Sequence, residues 1–320
     1  MNSIYWLILE IALVFLLPFF IILISTPYLI RELTRKGFVV KDFHKKGNKM
    51  IPTGGGLAII LTALFSISIN SLFYDFEVAN YVGLNVIILF SMFGILDDMI
   101  DIGRPAKLVL MYFFSFPLMS YTNHSEVLFP LIGSADYGIF YGQLIVPTFV
   151  LVAANLVNMH SGFNGMSSGL SVIILFSLII KSLMTGNIDS IVAIIAITGA
   201  TLGFHLFERY PSRIFWGNIG SLTVGAAIGV LIVMQGFIFS GFIMLLPHTI
   251  NFLMYVYWRV KKYPQAKFGR VREDGTLEVP NNLTLKWVLP YYRRVTERQA
   301  TYAMYAVTAV FGIIGILIPG

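Results

Sequence analysis

Long apolar runs separated by short polar segments dominate the chain. Each run is close to the roughly 20 residues that an α-helix needs to cross a bilayer. The pattern predicts an all-α fold, a polytopic membrane protein of about ten transmembrane helices. We place these helices at about 5–30, 54–73, 81–97, 108–121, 139–159, 167–184, 188–207, 219–235, 242–258 and 300–318.

The distribution of basic residues predicts which side of the membrane each loop faces. Because Lys and Arg are enriched in cytoplasmic loops, basic loops are expected in the cytosol. One basic residue, Lys181, lies outside these loops. It is near the outer end of helix six, where its long side chain is expected to reach the membrane interface. This reading places both termini outside. Of the 22 lysines and arginines, 21 fall in alternate loops, at 31–53, 99–107, 207–218 and 259–298. The turn at 160–166 is predicted to lie on the same, cytosolic side of the membrane.

Composition supports this class and excludes several others. The 320 residues are 57% hydrophobic and 12% charged, which is not a soluble composition. The absence of cysteine excludes thiolate catalysis and cysteine metal sites. The first apolar run is too long for a signal peptide and lacks a small-residue cleavage site. We expect one integral membrane domain over 1–320, in the cell membrane, with no nucleic acid partner.

Three carboxylates within five residues end the third apolar helix. Asp97 and Asp101 share a helix face, Asp98 lies on a neighbouring one, and Lys107 follows. Acids at membrane depth are rare and usually functional. Such a cluster could hold Mg²⁺, which binds one or two carboxylates together with substrate phosphates. The alternative is a helix end with three solvated acids.

A second polar cluster, residues 155–166, falls at the predicted cytosolic end of helix five. It contains Asn158, His160, Gly162 and Asn164. Asparagine carbonyls can bind Mg²⁺ and asparagine amides can bind a base, although an ordinary Asn/Gly turn is the alternative. The other four histidines show no metal-ligand spacing and are expected to satisfy local polar groups.

The third cluster, residues 210–221, combines aromatic and polar side chains. Phe215 or Trp216 could stack on a base, and Asn218 could face a metal. The alternative is an interfacial aromatic residue beside a polar helix cap.

The fourth cluster lies in the long loop at 259–298. Apolar and polar residues alternate on both sides of Asp274 and Gly275, which predicts a β-hairpin with a tight turn at these two residues. Lys267, Arg270 and Arg272 could bind a diphosphate, unless they only hold the loop near anionic lipid. Acids for Mg²⁺, cations for phosphate and an aromatic ring for a base indicate a nucleotide diphosphate used at a membrane surface. They do not identify the acceptor.

Four motifs follow one another in order along the chain, at 52–56, at 94–98 with Lys107, at 155–165 and at 211–217. In this order they resemble a known family, the polyprenyl-phosphate N-acetylhexosamine-1-phosphate transferases. The resemblance spans nearly the whole chain. The long final loop looks more like the archaeal and eukaryotic dolichol branch than the bacterial phospho-MurNAc-pentapeptide translocase.

The resemblance implies ten helices, a cytosolic active site and Mg²⁺, with Mn²⁺ as the alternative metal. A polyprenyl or dolichyl phosphate lipid would attack the β-phosphate of a UDP-N-acetylhexosamine, giving lipid-diphospho-sugar and UMP. The candidate site residues then fall into four groups: catalytic Asp97, Asp98 and Lys107; metal-binding Asp98, Asn158 and Asn218; nucleotide-binding Gly162, Asn164 and Phe215; and phosphate- or sugar-binding Asp101, Lys267 and Arg270.

Four positions depart from the family pattern. Asn218 stands where the family usually has a metal-binding Asp, which removes one negative charge. Thr53 stands where the dolichol branch often has Glu, and Gln265 and Ala266 replace a basic pair. The sugar specificity therefore stays open.

The expected reaction is transfer of N-acetylglucosamine 1-phosphate from UDP-GlcNAc to dolichyl phosphate, for N-glycan or related cell-surface glycan assembly. One alternative is transfer of phospho-MurNAc-pentapeptide, or of another N-acetylhexosamine phosphate, to undecaprenyl phosphate. Another is a catalytically weakened homologue that binds nucleotide sugar. A transporter would need charges near mid-membrane, whereas nearly all charges here lie at span ends. A homodimer is compatible with each of these.

Overall fold

The computed structural model describes residues 2–45, 47–100, 102–122, 124–130, 132–186, 188, 191–262 and 268–319. Most of these residues are helical, and the only sheets among them are three pairs of short strands. Two of the predicted site residues, Asp101 and Lys267, lie outside the described residues.

The helices mostly follow the predicted apolar runs, with boundaries shifted by a few residues. A 3₁₀ helix, Phe116–Ser120, follows the fourth helix, and a π-helical turn, Tyr141–Ile145, precedes the fifth. The α-helices of the described residues are α1 (Asn2–Arg35), α2 (Gly56–Asn70), α3 (Val78–Ile100), α4 (Arg104–Phe114), α5 (Val146–Met159), α6 (Met166–Thr185), α7 (Val192–Glu208), α8 (Gly217–Met234), α9 (Ile238–Met244), α10 (Leu246–Val260), α11 (Leu285–Tyr292) and α12 (Glu297–Leu317).

Six helices of the described part of the chain are long and apolar enough to cross a membrane: α1, α3, α5 with its π-helical start, α6, α8 and α12. Helices α9 and α10 make a seventh candidate if they form one span, and they are bent by 64° where they meet. Helices α2, α4 and α7 are apolar but shorter. A helical integral membrane protein is therefore confirmed, whereas ten spans and the orientation of the termini stay predictions.

Three antiparallel strand pairs connect the helices. The predicted hairpin in the last loop is present, and its turn contains Gly275 with a φ of +82°. The other two pairs were not predicted, because three or four residues are too few to show an alternating pattern. The pairs are β1 (Val39–Lys41) with β2 (Met50–Pro52), β3 (Glu126–Phe129) with β4 (Gly133–Asp136), and β5 (Arg270–Val271) with β6 (Leu277–Glu278).

Close packing of α3 on α8 sets the position of the Asp-rich helix end. A Cβ atom on Gly94 would lie 2.7 Å from the Cα of Ile219, so only glycine permits this approach. Asp98 is one helical turn beyond Gly94, which brings its carboxylate to the first turn of α8.

Strand β2 joins the glycine-rich segment at 52–56 to the cluster at 210–221. The N–H of Phe215 donates to the carbonyl of Pro52 at 2.8 Å, and the N–H of Gly55 donates to the carbonyl of Phe215 at 3.0 Å. Two motifs that are about 160 residues apart in the sequence thus become neighbours at one end of the helices.

A second hydrophobic cluster anchors the last loop beside α6 and α12. Trp287 from α11 and Leu277 from β6 are almost completely buried, and Trp258 packs edge-on against Trp287 with ring centroids 5.7 Å apart. Large aromatic side chains bury much apolar surface, so they supply most of the stabilising free energy of such a cluster. The described part of this loop from residue 268 onward is therefore packed into the fold rather than forming a solvated linker.

Lys181, whose side chain was expected to reach the membrane interface, contacts the C-terminal end of α12. Its side chain is buried, and its ammonium donates to the carbonyls of Ile318 at 2.5 Å and Gly315 at 3.4 Å. These carbonyls lie at the C-terminal end of α12, where the helix leaves its last acceptors unpaired and favours a cation.

Candidate active site

Six of the predicted site residues line one cavity of about 470 Å³. The volume is within the usual range for small-molecule sites. The residues come from the ends of α3, α5 and α8 and from the loops before α6 and α8. They are Asp98, Asn158, Gly162, Asn164, Phe215 and Asn218.

Asp98 bonds to the N-terminus of α8. Its carboxylate accepts the N–H of Asn218 at 3.1 Å and the N–H of Ile219 at 3.4 Å. These amides have no partner inside their own helix, and the helix dipole favours a negative charge at this point. The contact therefore stabilises the carboxylate and fixes its position on the cavity wall.

Asn158 and Asn218 add amide groups to the same wall. The Oδ1 atom of Asn158 accepts the hydroxyl of Ser221 at 2.9 Å, which orients the Asn158 side chain. Oxygen atoms of carboxylates and amides are the ligands that Mg²⁺ prefers. A carboxylate offers about four lone-pair sites, and the two bonds to α8 leave Asp98 with acceptor capacity. The residues present thus fit a hard divalent cation. Because residue 218 is Asn rather than Asp, the site has one carboxylate fewer than it would with Asp at that position.

Asp97 and Lys107 form an ion pair with each other. The Lys107 ammonium lies 2.6 Å from the Asp97 carboxylate, and their side chains are only 14% and 7% exposed. Neither belongs to the residues that line the cavity. The pair keeps a cation close to the Asp-rich helix end while neutralising one of its acids.

Gly162 lies in a turn that only glycine readily adopts. Its φ is +124°, and a Cβ atom there would collide with the ammonium of Lys286. This ammonium donates to the carbonyl of Ser161 at 2.5 Å. Burial lowers the pKa of Lys286 to about 8. Lys286 from α11 therefore holds the turn that forms one side of the cavity, a role the sequence did not indicate.

Three protein groups hold Asn164. Its side-chain Nδ2 donates to Asp42 at 3.1 Å, its Oδ1 accepts the N–H of Ser212 at 3.0 Å, and its backbone N–H donates to Glu297 at 2.7 Å. Only 2% of Asn164 is exposed. The predicted nucleotide contact is thus built into the protein, with limited hydrogen-bonding capacity left for a ligand.

Sequence reasoning missed a buried polar group beside Asn164. Asp42, His44 and Glu297 are all buried and place one ligand atom each within 4.8 Å of the others, so they could hold a metal ion. Lys45 already forms ion pairs with both acids. Burial, followed by the nearby Lys286 charge, lowers the pKa of His44 to about 4. The loop at 31–53 was interpreted mainly through its basic residues, so Asp42 was missed, and His44 was treated only as a histidine that satisfies local polar groups.

Aromatic rings line the cavity as well. Phe43 and Phe268 stack with ring centroids 3.8 Å apart, and both line the cavity together with Phe215. Trp216 also lines the cavity, but it is only 5% exposed and packed in the core, whereas Phe215 is half-buried. Of the two predicted stacking residues, Phe215 has the accessible face.

Arg270 lies away from the cavity wall. It is exposed on β5 and is absent from the lining residues of the described part of the chain. Arg272 donates to the carbonyl of Leu277 and so holds the hairpin. The structure thus gives these two arginines no contact with the cavity.

Comparisons with known proteins relate the whole chain to one group of enzymes. The family model described as glycosyl transferase family 4 matches residues 81–236. A relative from Saccharolobus solfataricus carries the name UDP-N-acetylglucosamine–dolichyl-phosphate N-acetylglucosaminephosphotransferase and is 30% identical over 97% of this chain and 97% of its own length. A relative of the same name from Sulfolobus acidocaldarius is 27% identical over 97% of this chain and 96% of its own length. A phospho-N-acetylmuramoyl-pentapeptide-transferase from Clostridioides difficile is 33% identical over 67% of this chain and 71% of its own length.

Proposed function

Because the chain belongs to glycosyl transferase family 4, we propose that it transfers N-acetylglucosamine 1-phosphate from UDP-N-acetylglucosamine to a polyprenyl phosphate of the dolichyl type. An oxygen of the lipid phosphate forms a bond to the β-phosphorus of the donor. The bond between that phosphorus and the bridging oxygen breaks, and UMP leaves. The sugar stays on its phosphate, so the product is lipid-diphospho-N-acetylglucosamine.

The observation that carries this proposal is the shared cavity. One space of about 470 Å³ combines oxygen ligands at Asp98, Asn158 and Asn218 with an aromatic face at Phe215. A nucleotide diphosphate needs both: compensation for its phosphate charge and a surface on which its base can stack. The relatives named above support the choice of donor and acceptor.

Each candidate residue has a proposed task. Asp98, Asn158 and Asn218 would hold Mg²⁺, or Mn²⁺ in its place, which when bound offsets negative charge on the diphosphate. Phe215 would stack on the uracil. Charge compensation and positioning supply most of the rate in phosphoryl transfer. Gly162 and Asn164 would contact the nucleotide, and Asp101 and Lys267 the phosphates or the sugar.

The Asp97–Lys107 ion pair would act on the lipid phosphate. Lys107 would attract the anionic headgroup, and Asp97 would orient both. A phosphate monoester is largely ionised near neutral pH, so removal of its proton by Asp97 contributes little.

We further propose that the protein crosses the cell membrane ten times, with both termini outside and the cavity facing the cytosol. The bent pair α9–α10 and the shorter helices α2, α4 and α7 would supply the spans beyond the six long ones. Nearly all basic residues lie in the loops that would then be cytosolic, which supports this arrangement.

A donor-by-acceptor assay tests the proposal. The purified full-length protein is incubated with Mg²⁺, dolichyl phosphate and UDP-N-acetylglucosamine, and UMP is quantified. We expect UMP release that requires both the lipid and the metal. No release from the wild type and none from Asn218→Asp would refute the proposed reaction.

A second candidate is the transfer of phospho-MurNAc-pentapeptide to undecaprenyl phosphate. The relative from Clostridioides difficile, which carries the corresponding name, favours it. The same assay separates the two, because this candidate predicts UMP release from UDP-MurNAc-pentapeptide with undecaprenyl phosphate and none from UDP-N-acetylglucosamine.

A further inference from the structure

The side-chain amide of Asn164 has a fixed orientation. A carboxylate only accepts hydrogen bonds and a backbone N–H only donates them. The Nδ2 atom must therefore face Asp42, and the Oδ1 atom must face the N–H of Ser212. The reversed amide would place two acceptors together on one side and two donors together on the other. Such contacts are costly in a buried site.

The acid that fixes this orientation is itself held in place. Lys45 lies 3.6 Å from the Asp42 carboxylate and also contacts the carboxylate of Glu297. Glu297 in turn accepts the backbone N–H of Asn164 at 2.7 Å. We call Asp42, Lys45 and Glu297 the ion-pair cluster. It links the loop after β1, the turn before α6 and the start of α12.

The fixed amide keeps one hydrogen on Nδ2 and one lone pair on Oδ1, and Asn164 lines the cavity. A ligand that pairs with both atoms must offer an acceptor and a donor in a set order. The imide edge of uracil offers O4 as an acceptor beside N3–H as a donor. The corresponding edge of cytosine offers the reverse, a donor at N4 beside an acceptor at N3. One amide orientation therefore suits uracil and the opposite one suits cytosine.

We propose that Asp42, supported by Lys45 and Glu297, is a specificity-determining positioning residue that makes the donor site select uracil over cytosine. It acts by fixing the orientation of the Asn164 amide. This inference rests on the proposed function, because it takes Asn164 as a contact of the donor nucleotide.

The affinities of UDP and CDP for the full-length protein test the inference. They are measured by calorimetry in the presence of Mg²⁺ for the wild type, Asp42→Asn and the control Asp136→Asn, whose carboxylate is exposed on β4. Bidentate contacts to a base discriminate by about tenfold or more. We expect the wild type and Asp136→Asn to prefer UDP by at least about tenfold. Because an Asn side chain can donate or accept, Asp42→Asn leaves the N–H of Ser212 as the single contact that orients the amide, and the preference should fall about tenfold.

A ratio of affinities separates specificity from stability, since general loosening of the site weakens both nucleotides alike. Equal binding of UDP and CDP by the wild type, or an unchanged ratio in Asp42→Asn, would overturn the inference. If Asp42→Asn does not fold, the same measurement is made on Lys45→Gln. A smaller ratio of UDP to CDP affinity than in the wild type supports the inference, and an unchanged ratio overturns it. A wild type that binds UDP selectively but releases no UMP with any donor and lipid would refute the proposed reaction while leaving the inference standing.

Discussion

Asn218 places a neutral amide beside Asp98, on the cavity wall that carries the proposed metal ligands. A unit negative charge a few Å from a cation contributes about 1–4 kcal/mol per unit of cation charge in polar surroundings. We therefore expect Asn218→Asp to lower the Mg²⁺ concentration for half-maximal UMP release by about tenfold. Asn281→Asp, in a loop away from the cavity, is the matched control and should leave the Mg²⁺ titration unchanged. If the wild type and both variants gave the same Mg²⁺ titration, Asn218 would not be a ligand of the metal.

Lys286 should make the stability of the folded protein depend on pH. Its pKa is lowered by burial to about 8, against 10.5 for the unfolded chain. Below pH 8 both states carry the proton, and the cost of burying the charge is fully present. Between about pH 8 and 10.5 the unfolded chain binds more protons, so the stability of the folded state rises with pH.

The expected result is that the melting temperature of the wild type rises relative to that of Lys286→Met as the pH increases from 8 to 10. Titration of all other groups cancels in this difference. A constant difference across this range would show that Lys286 keeps an ordinary pKa.

The sequence predicted those cavity-lining residues that lie in compact motifs. Asp98, Asn158 and Asn218 are polar residues at the ends of apolar runs, where burial without a partner is costly and function is the usual reason. Asp42 and His44 lack this signal, because they lie among basic residues in a loop that was expected only to face the cytosol. Glu297 resembles an ordinary acid in the first turn of a helix, and only tertiary contacts bring it to Asn164.

At the scale of elements, the packing of α3 against α8 determines the cavity. A Cβ atom on Gly94 would lie 2.7 Å from the Cα of Ile219 and 2.9 Å from the carbonyl oxygen of Asn218. We expect Gly94→Ala to separate the two helices, to lower the melting temperature and to reduce UMP release at least tenfold. Overpacking of this kind typically costs about 1–3 kcal/mol.

Gly103→Ala is the control for this substitution. Gly103 precedes α4 and has no atom within 4 Å of an added Cβ. It should retain the wild-type melting temperature and activity. Equal effects of the two substitutions would contradict the role given to the α3–α8 contact.

Apolar periodicity located the helices well, but it could not predict where they break. The run at 242–258 was expected to be one helix, whereas the structure has α9 and α10 with Pro247 in the first turn of the second. Proline lacks the N–H that would continue the preceding helix, and it is well tolerated at a helix start. Helix α11 was also missed, because its eight residues lie inside a polar loop.

At the scale of the whole molecule, the proposed topology can be tested cleanly because the chain has no cysteine. In the proposed topology Ser134 on β4 lies outside, and Glu273 in the last hairpin lies in the cytosol. In intact cells a membrane-impermeant maleimide should label Ser134→Cys and spare Glu273→Cys until the cells are opened. Labelling of Glu273→Cys in intact cells would reverse the proposed orientation.

In the proposed function, the cavity lined by Asp98 and Asn158 serves a transfer of sugar phosphate to a lipid. UDP-N-acetylglucosamine carrying ³²P in its β-phosphate distinguishes this transfer from others, because transfer of the sugar alone would leave that phosphate on UDP. We expect the label to enter the lipid fraction together with release of unlabelled UMP, and Asp98→Asn to reduce this transfer at least a hundredfold, as loss of a key electrostatic group does. Label that stays in UDP, or transfer that continues in Asp98→Asn at the wild-type rate, would refute this role of the cavity.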